Sequence, residues 1–139
     1  MPELSIADAK SLMAKIFAPW IKELELEPVS FDQKGGSFTL PDNAALVHVG
    51  GVVCGQAIAS AADTAIVVVL AAMNGRLRMC TTVDFTTHFI RPIPPGAVDI
   101  RVDVLSNGKR MAYLRVEFRA EGSEKLAATV TSTFAYLED

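Results

Sequence analysis

The period of the hydrophobic positions changes several times along the chain. Leu12, Met13, Ile16, Phe17 and Trp20 recur at helical spacing behind Ser5 and Asp8, a pair with the form of a capping box. An N-terminal amphipathic helix with those five residues on one face is expected. Residues 24–31 and 37–40 read as short strands joined by a turn at 33–36, and Pro41-Asp42-Asn43 ends the second. A loop around His48 leads to Gly50-Gly51 and then to an apolar run over 52–73, where Asn74-Gly75 supplies a helix stop. Four longer strands follow. In 78–89, Val83, Phe85 and Phe89 fall on one side, with Asp84, Thr86 and His88 on the other. The stretch 91–96 is Pro- and Gly-rich and reads as a turn. Val98, Ile100, Val102 and Val104 alternate with Asp99, Arg101 and Asp103, and Asn107-Gly108 has hairpin composition. The strand over 110–120 puts Ala112, Leu114, Val116 and Phe118 inside, Gly122 marks another hairpin, and 126–137 is the last strand.

The order is helix, two strands, long helix, four strands. The last four read as a meander of three consecutive hairpins, which gives an antiparallel sheet and an α+β class. The long helix is apolar nearly all round, so it needs cover on nearly all sides. One curled sheet covers part of it, and the remainder calls for another subunit. This is the hotdog arrangement, an antiparallel sheet wrapped around a long central helix, expected here as a single domain over residues 1–139.

Composition narrows the function classes. The net charge of -3 argues against nucleic-acid binding, because phosphate contacts need a basic surface. Cys54 and Cys80 are the two cysteines; no His/Cys cluster has zinc spacing, so no metal site is expected, and reduced thiols in a cytoplasmic protein are the better expectation. The start Met1-Pro2-Glu3-Leu4 has no basic or apolar leader, so no secretory signal is expected. The run over 52–73 is long enough to cross a bilayer. It is rich in Ala and Gly, carries Gln56, Ser60, Asp63 and Thr64, and lacks aromatic belts, so a buried helix is expected in place of a membrane span.

Asp63 is the one charge in that run. A carboxylate in so apolar a helix is costly to ionise unless it is hydrogen-bonded or reaches a cavity, and burial would suit it to act as a base or nucleophile near neutrality. The alternative is a structural carboxylate bonded to a neighbouring Thr or backbone amide. Gly50, Gly51 and Gly55 crowd the helix start, where free N–H groups and a partial positive charge would outline an oxyanion hole. Eight residues separate Gly55 from Asp63, about 12 Å along one helix. One carbonyl cannot contact both from a single helix. If both act, they come from antiparallel helices of two subunits.

Residues 54–65, Cys-Gly-Gln-Ala-Ile-Ala-Ser-Ala-Ala-Asp-Thr-Ala, resemble the His-Gly-Gly-x5-Ala-Asp-Thr-Ala helix of the phenylacetate-degradation (PaaI-like) hotdog thioesterases. Thr82-Val83-Asp84-Phe85, Phe89-Ile90-Arg91-Pro92 with Gly96, and Gly108-Lys109-Arg110 continue the resemblance, which spans roughly residues 24–137. It implies hydrolysis of an acyl-CoA thioester to a free acid and coenzyme A, with no cofactor beyond water. Asp63 would activate water or attack the thioester, the Gly55 amide would polarise the carbonyl, and Thr82 would help hold the attacking water. His48 falls where that family often has Asn and could bond the thioester region. Cys54 and Gln56 replace the family's His and second Gly and are expected to line the pocket, Cys54 without acting as nucleophile because no base is placed beside it. Arg91, Lys109 and Arg110 at turns are candidates for coenzyme A phosphates. His88 has no assigned role. A homodimer, extending to a homotetramer, is expected. The rival readings are a non-catalytic acyl-CoA-binding hotdog protein and a hotdog enoyl-CoA hydratase or dehydratase, the latter needing a His–acid pair for which His48 is the one candidate.

Overall fold

The structure is a computed structural model and describes residues 4–138. Helix α1, Ile6–Ile16, opens with the expected box: Ser5 Oγ accepts from the Asp8 amide at 3.0 Å, and the Ser5 amide donates to Asp8 Oδ2. Pro19 lacks the amide to continue it, so the chain breaks at Phe17 and restarts as a short turn of helix, α2, Pro19–Lys22. That break swings Trp20 off the apolar face. Its side chain is exposed, while Met13, Phe17 and Ile21 pack on the core and Ala9 is buried.

Strands β1 (Glu27–Phe31) and β2 (Gly35–Leu40) form the first hairpin. Helix α3 runs Gly55–Asn74 and ends at Gly75, whose left-handed φ of 73° is a conformation that glycine adopts without steric cost. Strands β3 (Cys80–Phe89), β4 (Val98–Asn107), β5 (Met111–Ala120) and β6 (Ala128–Tyr136) complete one antiparallel sheet in the order β1-β2-β4-β5-β6-β3. Two hairpins of the expected meander exist, β4-β5 and β5-β6. The third does not. The segment over 90–97 is a crossover that carries the chain past two strands, β6 and β5, to β4, and β3 pairs with β6 at the sheet edge. Pro92, Pro94 and Pro95 suit such an unpaired connection because none can donate to a ladder.

Inward-facing residues align in rows across the sheet. Pro28, Phe38, Ile100, Phe118, Ala128 and Phe89 form one row through all six strands, and Val102, Val116 and Val130 lie in the next. On them lies α3, whose Ala57, Ala61, Ala62 and Ala65 are at most 4% exposed and let helix and sheet approach closely. Burying each of Phe38, Phe118 and Phe134 contributes about 1.5–3 kcal/mol. By length and composition α3 could cross a membrane, but 67% of its most apolar stretch is inside the protein: it is the core helix.

Three bulges interrupt the ladders. In β1, Pro28 lies opposite Phe38 but Ser30 lies opposite Ser37, so Val29 is the extra residue. In β3, Thr82 lies opposite Phe134 but Asp84 lies opposite Thr133, so Val83 is the extra residue. In β4, Val104 faces Leu114 and Ser106 faces Tyr113, so Leu105 is extra. All three extra residues are thrown outward, Val29 to 55%, Val83 to 58% and Leu105 to 57% exposure.

Candidate active site

Strict alternation groups Thr82 with Asp84, Thr86 and His88 on the outer face. The bulge at Val83 changes the phase. Cys80 and Thr82 lie opposite Tyr136 and Phe134, which are buried, and beyond the bulge Phe85 lies opposite buried Ser132. Cys80, Thr82, Phe85 and Phe89 therefore share the helix-facing side, and Val83 does not join them. From there Thr82 Oγ1 donates to Asp63 Oδ1 at 2.8 Å. Asp63 is half-buried on α3, and its Oδ2 has no hydrogen-bond partner among the described residues. The neighbouring Thr64 is not its partner: that hydroxyl donates back to the Ser60 carbonyl at 2.7 Å. Cys80 lies close enough for the Asp63 charge to matter. Burial first, and then Asp63, push its thiol above the ordinary value, against the pull of Arg78.

The N-terminus of α3 is the second part. Cys54 is the cap residue, but its side chain accepts no hydrogen bond; its amide donates to the Leu46 carbonyl at 2.8 Å. The amides of Gly55, Gln56 and Ala57 have no protein acceptor among the described residues, as the first turn of a helix dictates. Gly55 opens on a cavity of about 360 Å³ with Ile58, Phe89, Ile90, Arg91 and Ile93 in its wall. A Cβ at Gly55 would lie 3.2 Å from the Phe89 ring, so glycine lets the aromatic edge rest on the helix start. Arg91 is anchored through Nε to the Leu126 carbonyl at 2.9 Å.

The other sequence-predicted residues lie apart from these. Cys54 and Gln56 line a separate groove with Trp20, Leu46 and Ser60. Lys109 and Arg110 share a cavity of about 400 Å³ with Tyr136 and Glu138, beyond the C-terminal end of α3. His48 is exposed and turned into its own loop, where Nδ1 accepts from the Gly50 amide at 2.8 Å. His88 faces outward in register with Thr129. One protomer thus unites Asp63 with Thr82, and Gly55 with Arg91, and leaves the two pairs at different points along α3.

Sequence reasoning missed a polar cluster at the end of α3. Asn74 Nδ2 donates to the Tyr136 hydroxyl (2.9 Å), which donates to Asn107 Oδ1 (2.6 Å), whose Nδ2 donates to Asn74 Oδ1 (3.0 Å). The Arg78 guanidinium lies 3.6 Å over the Tyr136 ring and, with Arg76, pairs with Glu138. The Asn-Gly steps marked a helix stop at 74–75 and a hairpin turn at 107–108 but carried no sign that their side chains would meet.

A sheet curled on a helix that bears one carboxylate is the hotdog architecture, and the class that these features define is that of hotdog hydrolases. The chain belongs to the Thioesterase superfamily, whose profile matches residues 50–127. Thioester hydrolysis is the reaction that membership carries. A Thermoplasma acidophilum protein described as an inferred esterase is 32% identical over 125 residues, covering 88% of this chain and 92% of its own. The fold matches that of a Haemophilus influenzae thioesterase with a TM-score of 0.85 at 17% identity, covering 97% of this chain and 92% of the other. It also matches a variant of the phenylacetic acid degradation protein PaaI of Thermus thermophilus with a TM-score of 0.73 at 23% identity, covering 86% and 100%.

Proposed function

We propose that the chain hydrolyses an acyl-CoA thioester to the free carboxylic acid and coenzyme A, with Asp63 as the reacting carboxylate. The observation that carries the reading is the Thr82–Asp63 hydrogen bond. It fixes one carboxylate oxygen and leaves Oδ2 open to water or substrate. As a base, Asp63 takes a proton from water, the water oxygen bonds to the thioester carbon, and the C–S bond breaks as the coenzyme A thiolate takes up a proton. As a nucleophile, its oxygen bonds to the thioester carbon as the C–S bond breaks and the coenzyme A thiolate leaves and takes up a proton, and water then opens the resulting anhydride to the free acid and the Asp63 carboxylate. In either case oxygen gains negative charge, and the unpartnered Gly55 amide at the positive end of α3 is suited to stabilise it.

Gly55 and Asp63 are about 12 Å apart along α3, so this chemistry needs a homodimer with antiparallel α3 helices, each supplying one of the two groups. Strand β3 supports that assembly. It is a ten-residue free edge whose Val83 and Phe89 are exposed, with Ile90 beyond it, and such an edge calls for a partner. Further pairing of dimers into a tetramer is part of the proposal. Arg91, beside Gly55, and Lys109 and Arg110 are proposed to meet the phosphates of coenzyme A. Cys54 and Gln56 are proposed to contact substrate from the adjoining groove, and His48 to reach it from the loop before α3. The reaction takes no cofactor beyond water, and the cytoplasm is its proposed compartment.

The test is hydrolysis of a panel of aryl and aliphatic acyl-CoA substrates by the wild type and Asp63→Asn. The variant should fold and lose about 10²-fold or more in kcat, the scale of a lost general base. Hydrolysis close to the wild-type rate would make Asp63 structural and end the proposal.

A further inference from the structure

Ser132 is one of two polar residues buried in the core among the described residues, the other being Thr64 on α3. It lies on the inward row of β6 between Val130 and Phe134, where alternation calls for an apolar side chain. A buried hydroxyl is unfavourable unless it is bonded. This one donates to the Asp84 carbonyl at 2.7 Å. Asp84 is the first paired residue beyond the Val83 bulge, and Ser132 itself lies opposite Phe85. A bulge disrupts the ladder around its extra residue, and a continuous ladder is the competing arrangement. Pairing without the extra residue would move residues on one side of Val83 by one position, which exchanges the two faces there. With the later half of β3 held by Phe85 and Phe89 facing the core, Thr82 would be the residue turned outward, away from Asp63.

We propose that Ser132 is a positioning residue: its hydroxyl holds the bulge at Val83, and the bulge keeps Thr82 on the helix-facing side where it meets Asp63. Ser132 does not touch the carboxylate. It acts through the Asp84 carbonyl and the phase of β3. The catalytic consequence rests on the reading of Asp63 above; the structural one does not.

Two measurements test it on the full chain. Cross-strand NMR contacts report the register, which in the wild type places Thr82 opposite Phe134 and Asp84 opposite Thr133. Steady-state kinetics report the consequence. In Ser132→Ala the Thr82–Phe134 pairing should be lost or averaged, with kcat reduced about tenfold and KM held within about twofold, as expected for loss of an oriented charged hydrogen bond. Ser132→Thr, which restores a hydroxyl, should recover most of the kcat. Added to Thr82→Val, Ser132→Ala should change kcat by less than about twofold, because both act on one contact. Should Ser132→Ala fold poorly, Ser132→Cys keeps the volume with a weaker donor and should show smaller changes in the same direction. Wild-type register in Ser132→Ala, or a kcat loss that multiplies fully with that of Thr82→Val, overturns the proposal. An active Asp63→Asn removes the reading of Asp63, and the register measurement then still decides the role of Ser132.

Discussion

Thr82→Val isolates the contact on which the site is built. Valine keeps the β-branched shape that suits a strand and replaces the hydroxyl with a methyl group, so Asp63 Oδ1 loses the donor at 2.8 Å. A hydrogen bond to a charged group contributes about 1.5–3 kcal/mol. Thr82 is exposed and Asp63 half-buried, so water replaces part of the lost donor and the lower end applies. At about 1.4 kcal/mol per factor of ten, kcat should fall about tenfold. That is a smaller loss than for Asp63→Asn, because the carboxylate remains and only its orientation is loosened. Stability should stay within about 0.5 kcal/mol, the usual range for an exposed position. Release of free thiol from the best acyl-CoA substrate gives kcat, and a urea melt on the same samples gives stability. A folded Thr82→Val with wild-type kcat would show that the hydrogen bond does not serve catalysis and would refute the reasoning.

Three further outcomes are expected. Asp63→Asn and a bulky replacement at Gly55, both inactive alone, should regain up to about a quarter of wild-type activity after joint unfolding and refolding, since half the dimers are mixed and one of their two sites is intact; mixed dimers without activity would count against a shared site. Cys54→Ser should keep most of the kcat, and an acyl adduct trapped on Cys54 during turnover would contradict this. Asp32 has its carboxyl lowered from 3.8 to about 2, chiefly by the hydrogen bond from Arg101, so it stabilises the fold above the unfolded value and that contribution is lost as pH falls through about 2. Asp32→Asn should therefore reduce the acid dependence of the thermal midpoint between about pH 4 and 2, and an unchanged slope would exclude the pair as its source.

The fold was legible where one period decides the structure. The Ser5–Asp8 box, the αL stop at Gly75 and the inward row Ala112, Leu114, Val116 and Phe118 all follow from local chemistry. The edge position of β3 was not legible. The Pro-rich stretch over 91–96 breaks the ladder in the same way whether it makes a hairpin or a crossover, and only long-range pairing with β6 decides between them. Trp20 fits the helical period, but Pro19 resets the phase one residue earlier. In the site, the lone charge at Asp63 and the family-like Thr82 could be picked out, while their meeting could not. An extra residue in a strand looks the same as any other in a pattern of alternation, and here it decides which face Thr82 takes. Ser132, a hydroxyl on an otherwise apolar row, was the local sign that something on that face needed a donor.

The closed ring of Asn74, Tyr136 and Asn107 bears on how the protein ages. Both asparagines precede glycine, at 74–75 and 107–108, the dipeptide in which the following amide most readily attacks the side-chain carbonyl and expels ammonia. The bulge at Leu105 turns Asn107 toward Tyr136, so each carboxamide is held by two hydrogen bonds. Cyclisation at either position must first release those bonds. If it occurs, the Nδ2 donor becomes a carboxylate oxygen, and the circuit cannot close with the same polarity. The two Asn-Gly steps of the chain are thereby wound into one contact, which joins the end of the core helix, the β4–β5 turn and the last strand.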